Sequence, residues 1–490
     1  MKKRITLFLI SLIFISASVF AKGDSYIYDR WEEIEKSPDM YRVSSVLYAN
    51  NLGLEKSFKN PSGLYCYKNY VYILDSDNNR IIALVYNEDK TLSFSREITK
   101  FDANGSGVDE TFNCPKDMYI NAEDETIFIA DTNNARVVKL DKDWKFLLAF
   151  TEPDDPTYEK GKAFMPEKVV SDVKGRAYIL AKSINRGFLK YEYDGVFQGF
   201  YGASEVTYTT WDYIWKTMFS TRAQREQMVQ FVPTEYSNAF MDSKGFIFAT
   251  IKTFNEWDLK GNVKPIRRLN ALGKDILVKN ARNLPVGDQI WGNAAGITGP
   301  SKFADITVLE NECYVAIDET RGRLFGYDNQ GYLLFAFGGK GNIQGYFRNP
   351  VAIEHCGRDI FVLDSQGCSL TVFAPTECGN MVYDATELYA EGKYDDAASM
   401  WEKVLKQNGN YDLAYVGLGK SYLRQNRYKE AMEYFKLKHA RKNYSKAFTY
   451  YRKEWIEENL WWILIVAGVL IVTWLVSRVV RKIKWEMNQL

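Results

Sequence analysis

Short apolar or alternating runs, broken by turns rich in Asp and Asn, fill residues 58–375. In residues 112–140, Phe112 and Pro115 lead into Met118-Tyr119-Ile120, then Ile127-Phe128-Ile129-Ala130-Asp131. After Thr132-Asn133-Asn134-Ala135 a third run opens at Arg136-Val137-Val138. Runs of this length between turn formers predict consecutive antiparallel strands. The phrase returns earlier as Phe58, Pro61, Val71-Tyr72-Ile73-Leu74-Asp75 and Arg80, with Asp and Arg again five residues apart. Fainter copies end at Ala181, Thr250, Asp318 (with Arg323) and Asp364, so that successive anchors lie 46 to 69 residues apart. That interval suits roughly 40–50 residues per four-stranded blade plus loops. The fold expected is mainly β, a six-bladed β-propeller.

Two consequences follow from a closed ring. The sixth blade offers only three runs, near 351–354, 359–363 and 370–373, before Pro375. A circular array must hide its last edge, so the alternating residues 41–48 are expected to supply the outermost strand of blade six. In a blade that meanders outwards, the link to the next inner strand shares a face with the second-to-third strand turn. The links 101–112, 150–164, 200–231, 272–303 and 337–347 therefore decorate one face, where binding residues are expected. The longest holds Trp211, Tyr213, Trp215 and Phe219, followed by Ser220-Thr221 and a run containing Gln224 and Arg225. It reads as a helical insertion over 204–230, either an aromatic platform for a sugar, peptide or partner helix, or glue holding the insertion to the ring. Gln289 and Trp291, within 280–300, are a second candidate of the same kind. Asp75, Arg80, Asp131, Asn134, Arg136, Asp318, Arg323 and Asp364 are read as turn formers, because Asp and Asn side chains bond nearby backbone amides. The glycine-rich stretch Gly338-Gly339-Lys340-Gly341-Asn342 lacks the spacing of a phosphate loop and is read as an inter-blade link.

After residue 375 the period changes to helical. Tyr394, Ala397 and Trp401 recur as Tyr428, Ala431 and Phe435, each 34 residues on, which is the tetratricopeptide period. Gly419 and Ala431 would let two helices approach closely, Asn426 stands where a glycine is usual, and 443–458 would be the last helix of the array. Residues 460–477 carry no charge and with Val479 and Val480 are long enough to cross a bilayer. Trp461 and Trp462 would lie at one interface and Arg478, Arg481, Lys482, Lys484 and Trp485 at the other, placing the C-terminus in the cytoplasm. Lys2-Lys3-Arg4 before an apolar run, then Val19 and Ala21, reads as a secretory signal of bacterial pattern. The organisation expected is signal 1–21, propeller 22–375, helical repeats 376–458, membrane helix 459–480 and tail 481–490, in a single-pass cell-membrane protein with its N-terminal region outside the cytoplasm.

Composition narrows the function. A net charge of +1 and the lack of a basic stripe leave no expectation of nucleic acid. Only His355 and His439 are present, too few for the histidine clusters of metal-dependent propeller lyases. There is no nucleophile-elbow sequence, so no catalytic residue, metal ligand or cofactor is assigned, and a carboxylate calcium site in the channel stays open. The six cysteines are widely scattered; Cys356 and Cys368 flank one predicted strand and either pair or stay free.

Phe58-x-x-Pro61 with Asp75-x-x-Asn78-x-Arg80, and Phe112-x-x-Pro115 with Asp131-x-x-Asn134-x-Arg136, resemble NHL repeats, and residues 385–438 resemble tetratricopeptide repeats. The whole arrangement is similar to bacterial membrane-anchored NHL-repeat proteins. The resemblance implies a propeller with a recognition role: an extracytoplasmic scaffold whose propeller binds a ligand or protein, with a carbohydrate or peptide as candidates, and whose repeats dock a membrane-associated partner. The alternatives are a propeller enzyme acting on carbohydrate or lactone substrates, and an accessory component of a membrane (sugar) transporter.

Overall fold

A computed structural model describes residues 25–488, except 30, 32, 104–108, 159–162, 183, 204–235, 253, 255–263, 280–283 and 290–298. The chain divides into two compact units, up to residue 380 and from 381 onward. The first is a six-bladed β-propeller, each blade an antiparallel meander. Blade 1 comprises Gly63–Tyr67, Tyr70–Asp75, Arg80–Tyr86 and Leu92–Ile98; blade 2, Pro115–Ile120, Ile127–Asp131, Arg136–Leu140 and Phe146–Phe150; blade 3, Pro166–Ser171, Ala177–Ala181, Phe188–Tyr191 and Phe197–Tyr201. Side chains alternate between the two faces of each sheet. Because both faces meet a neighbouring blade, the core lies between blades rather than at one centre. Leu74, Ile81 and Ala83 of blade 1 pack on Met118, Ile129 and Val138 of blade 2, and Leu64 and Ile73 of blade 1 pack on Ala352, Phe361 and Leu363 of blade 6.

Blades 4 to 6 depart from the regular plan. Blade 4 (Tyr236–Met241, Ile247–Ile251, Ile266–Leu269) has three strands among the described residues. Its fourth is reduced to a single bridge from Leu269 to Asp275. The Asp275 carboxylate accepts the Arg268 and Leu277 N–H groups, taking donors that an outer strand would have used. Blade 5 (Phe303–Val308, Tyr314–Asp318, Arg323–Tyr327, Leu333–Gly338) gains two strands, Tyr26–Tyr28 and Ile34–Lys36, for a sheet of six. In blade 6 (Pro350–Cys356, Asp359–Asp364, Ser369–Pro375) the outer strand is Tyr41–Tyr48, paired from Ser369↔Tyr48 to Pro375↔Tyr41. The N-terminal segment thus contributes to the sheets of two successive blades.

The second unit is helical. Helices α1 (Glu377–Ala390), α2 (Tyr394–Gln407), α3 (Asp412–Arg424), α4 (Tyr428–Leu437) and α5 (Arg441–Glu458) precede α6 (Leu460–Met487). A Cβ at Gly417 would come within 2.4 Å of the Trp401 indole, and one at Gly419 within 2.5 Å of the Phe435 ring, so these two glycines set how closely α2, α3 and α4 approach. Asn426 follows α3 with φ +61°, a left-handed conformation that asparagine tolerates next best to glycine. Helix α6 has 28 residues and is long and apolar enough to cross a membrane.

Candidate functional site

Each inner strand from blade 2 to blade 6 begins with a register shift, at Pro115/Asp117, Pro166/Lys168, Tyr236/Asn238, Phe303/Asp305 and Pro350/Ala352. A bulge re-aims the side chain that follows it. Here it brings Asp117, Lys168, Asn238, Asp305 and Ala352 to equivalent places round the central channel, with Gly63 standing at that place in blade 1. Three of them tie adjacent blades together. Asp117 accepts the Val169 N–H (2.9 Å), Asn238 donates to the Ala304 carbonyl (3.0 Å), and Asp305 accepts the Ile353 N–H (2.8 Å). Lys168 Nζ lies 3.3 Å from Asp117 Oδ1.

Two residues further along the strands stand Tyr65, Tyr119, Phe240, Thr307 and Glu354. Glu354 Oε2 accepts the His355 N–H (3.1 Å) and the Thr307 hydroxyl (3.3 Å), while Thr307 Oγ1 is 2.6 Å from His355 Nδ1. Apart from Thr307, these residues line a cavity of about 320 Å³ together with Tyr67, Lys68, Ala122, Glu310, Cys356 and Gly357. Burial pushes Asp305 up to about 6, and burial together with the nearby Asp305 holds Glu354 well above the usual carboxylate range. Burial pulls His355 down to about 4. Lys168 loses solvation too, but Asp117, Asp305 and Glu354 outweigh that loss and keep it raised. The cavity lining therefore gathers Lys68, Lys168, Asp117, Asp305, Glu310, Glu354 and His355, with burial favouring the protonated form of Glu354 and the neutral form of His355. Such a set can donate and accept hydrogen bonds with an uncharged polar ligand. It does not fit a divalent cation. The Lys168 ammonium sits against Asp117, Asp117 and Asp305 each bond the next blade's backbone, and no group of three metal-ligating side chains forms among the described residues.

The repeated Asp residues end the second strand beside the start of the inner strand, one register step from the bulge residues, and bind the incoming loop of their own blade. Asp75 accepts the Lys59 N–H, Asp131 that of Asn113, Asp318 that of Lys302 and Asp364 that of Arg348, at 2.6–2.8 Å. Arg80 and Arg136 pair with Asp75 (2.7 Å) and Asp131 (3.0 Å), and Asn78 and Asn134 join the same carboxylates. Blade 5 differs from the regular spacing. Arg323 pairs with Asp288 instead of Asp318, and Asp318 reaches that group through Ser301 (2.9 Å). Asp288, fully buried, also accepts the hydroxyls of Tyr26 and Tyr28, so the arriving N-terminal hairpin redirects the arginine.

Of the loop residues singled out in sequence, Trp211, Tyr213, Trp215, Gln224, Arg225 and Trp291 lie outside the described residues, as does the 204–230 insertion. Gln289 is exposed, next to the buried Asp288. The cavity wall reaches Lys68, Ala122, Glu310 and Gly357, which belong to the first-to-second strand turns, away from the long links. Cys356 and Cys368 do not pair, and no disulfide forms among the six cysteines. Asp364 pairs in register with Pro350 and Ser369, and Cys356 with Asp359, so the two cysteines stand at opposite ends of blade 6. Sequence reading passed over Asp117, Lys168, Asp305 and Glu354. For Asp117, Lys168 and Asp305 the signal is a charged residue two places after the loop proline or its equivalent, whereas Glu354 lies four places after Pro350.

A tetratricopeptide repeat model matches residues 385–453. No curated protein matches the chain. Among solved structures, the chain is similar to a streptogramin B lyase (11% identity, 68% of this chain and 98% of that one, TM-score 0.39). It is also similar to a virginiamycin B lyase from Staphylococcus aureus (13%, 65% and 81%, TM-score 0.38) and a gluconolactonase from Xanthomonas campestris (10%, 65% and 85%, TM-score 0.36).

Proposed function

We propose that this chain is a membrane-tethered interaction scaffold of the NHL type, with the propeller held outside a bacterial cytoplasm as the recognition module and the helical repeats as a dock for a membrane-associated partner. The observation that carries this reading is the join between α5 and α6. The segment matched as tetratricopeptide repeat ends within α5, and Asn459 alone separates that helix from the apolar α6. A partner engaged by these repeats is thereby kept near the bilayer, and a transporter subunit meets that requirement. Cross-linking in native membranes, followed by mass spectrometry, tests it. The same membrane protein should be trapped repeatedly by the full chain and lost when residues 385–453 are replaced by an unrelated helical segment. A chain that remains uncross-linked, or a partner retained after the replacement, overturns the docking role.

The channel favours a second reading, binding and turnover of a neutral carbohydrate or lactone. Glu354, whose carboxyl is held well above the usual carboxylate range, would serve as hydrogen-bond donor or acid, and His355, whose imidazole burial pulls down, as the acceptor beside it. A lactone and sugar-ester screen on the purified protein, with Glu354→Gln as control, separates the two readings.

A further inference from the structure

The ladder between Tyr41–Tyr48 and Ser369–Pro375 completes blade 6 without a covalent link. At the neighbouring seam, where blade 6 packs on blade 1, two cysteines come together. Cys66 lies on the inner strand of blade 1 and Cys356 at the end of the inner strand of blade 6. Both pack against the core cluster shared by these two blades. The two inner strands run side by side, with pairs of Cα atoms within 8 Å. Cys356 Sγ sits 3.5 Å from the Lys68 carbonyl, two residues past Cys66. Tyr86 of blade 1 bonds Asp359 (2.9 Å), the register partner of Cys356, and Lys90 reaches the same carboxylate (2.9 Å). The two blades are therefore held together at the level of the thiols. Both cysteines also line the channel cavity, which gives small thiol reagents a route to them.

We propose that Cys66 and Cys356 are a dithiol pair that closes to a disulfide across the seam. The bond would turn a propeller closed by a strand ladder into one closed covalently, through blades 2 to 5. In the reaction one thiolate attacks an external disulfide, such as oxidised glutathione or an oxidised dithiol catalyst, to give a mixed disulfide. The second thiolate then displaces the carrier. The protein loses two protons and two electrons, and the carrier disulfide is reduced to two thiols. None of the other cysteines shares this position: Cys368 is at the far end of blade 6, Cys114 enters blade 2, Cys313 precedes a blade 5 strand and Cys378 is in α1.

The test uses the full-length protein in detergent, incubated with oxidised glutathione, alkylated and digested with trypsin. Peptide 60–68 should be recovered joined to peptide 349–358, two hydrogen atoms short of the sum, as the dominant cross-linked species. The unfolding midpoint of the oxidised protein should rise by a few degrees and fall back on reduction, and Cys66→Ser or Cys356→Ser should abolish both effects. Recovery of Cys66 and Cys356 as alkylated thiols under conditions that oxidise Cys114 or Cys368, or of Cys66 joined to any other cysteine, overturns the proposal. The wild-type peptide map decides the matter even where a serine variant fails to fold.

Discussion

Asp75 and Asp318 end the second strands of their blades and bind the incoming loop in the same way, yet the arginine five residues on has a different partner in each. In blade 1 the Arg80–Asp75 pair is sealed, with side chains 2% and 0% exposed. In blade 2 Arg136 is 19% exposed and shared with Glu110. Removing one member of a buried pair strands the other, so Arg80→Ala should cost about 3–5 kcal/mol, whereas Arg136→Ala should cost about 1 kcal/mol. Urea unfolding of the two variants checks the contrast, and equal losses would refute it. Asp305 carries the clearest pH signature. Its folded carboxyl titrates at about 6, above its unfolded value, so the folded state holds the proton more tightly. The resulting stability is fully present below about pH 4, falls as pH rises to about 6 and is then lost. Asp305→Asn should make that falling segment shallower in a plot of unfolding free energy against pH, with the raised Glu354 still contributing to it. Such channel residues were poorly legible in sequence because a charge in one strand has no meaning until the ring brings Asp117, Lys168, Asp305 and Glu354 together from four blades. The Asp–Arg turns were legible because both partners lie within five residues.

At the scale of elements, every irregularity has a local cause. Among the described residues blade 4 has three strands, and Asp275 accepts the Arg268 N–H that an outer strand would have used; one side chain of this kind is invisible to a pattern of apolar positions. The hairpin that joins blade 5 was equally hidden: Tyr26–Tyr28 and Ile34–Lys36 have three residues each, too few to show a period. What fixes it is Asp288, from a link that read only as a loop. Asp288→Ala should release the hairpin, seen as faster tryptic cleavage after Lys36 with the rest of the propeller intact. Unchanged cleavage would mean that the ladder alone holds it. Removing residues up to 48 should have a larger effect, leaving the Ser369–Pro375 edge bare and lowering the thermal midpoint. A truncated protein that melts like the intact one would show that the closing strand contributes no stability. In the helical unit, Gly419→Ala would drive a methyl group into Phe435 and should cost about 1–3 kcal/mol, read from the loss of helical circular dichroism on heating.

For the whole molecule, blade number and the change to helices at residue 375 were readable because each rests on periods repeated many times. Within the N-terminal segment, the closing strand 41–48 was readable from its alternation and from the missing edge of blade 6, whereas the Tyr26–Lys36 hairpin was not, because its place depends on a pairing with Ala336, more than 300 residues away. The proposed membrane anchor is testable at this scale: a chain ending at Glu458 should leave the membrane fraction, and one carrying Val469→Lys and Leu470→Lys should become extractable at high pH. The two N-terminal insertions also impose an order of assembly. Tyr26 pairs with Ala336, and Tyr48 with Ser369, so the first strands made wait for the last. At about 5–20 residues per second, roughly 15–60 s of synthesis separate each strand from its partner. Throughout that interval the nascent chain carries an unpaired, tyrosine-rich β-edge. A holding chaperone, and not the speed of blade formation, would then govern how much of this protein survives its own production.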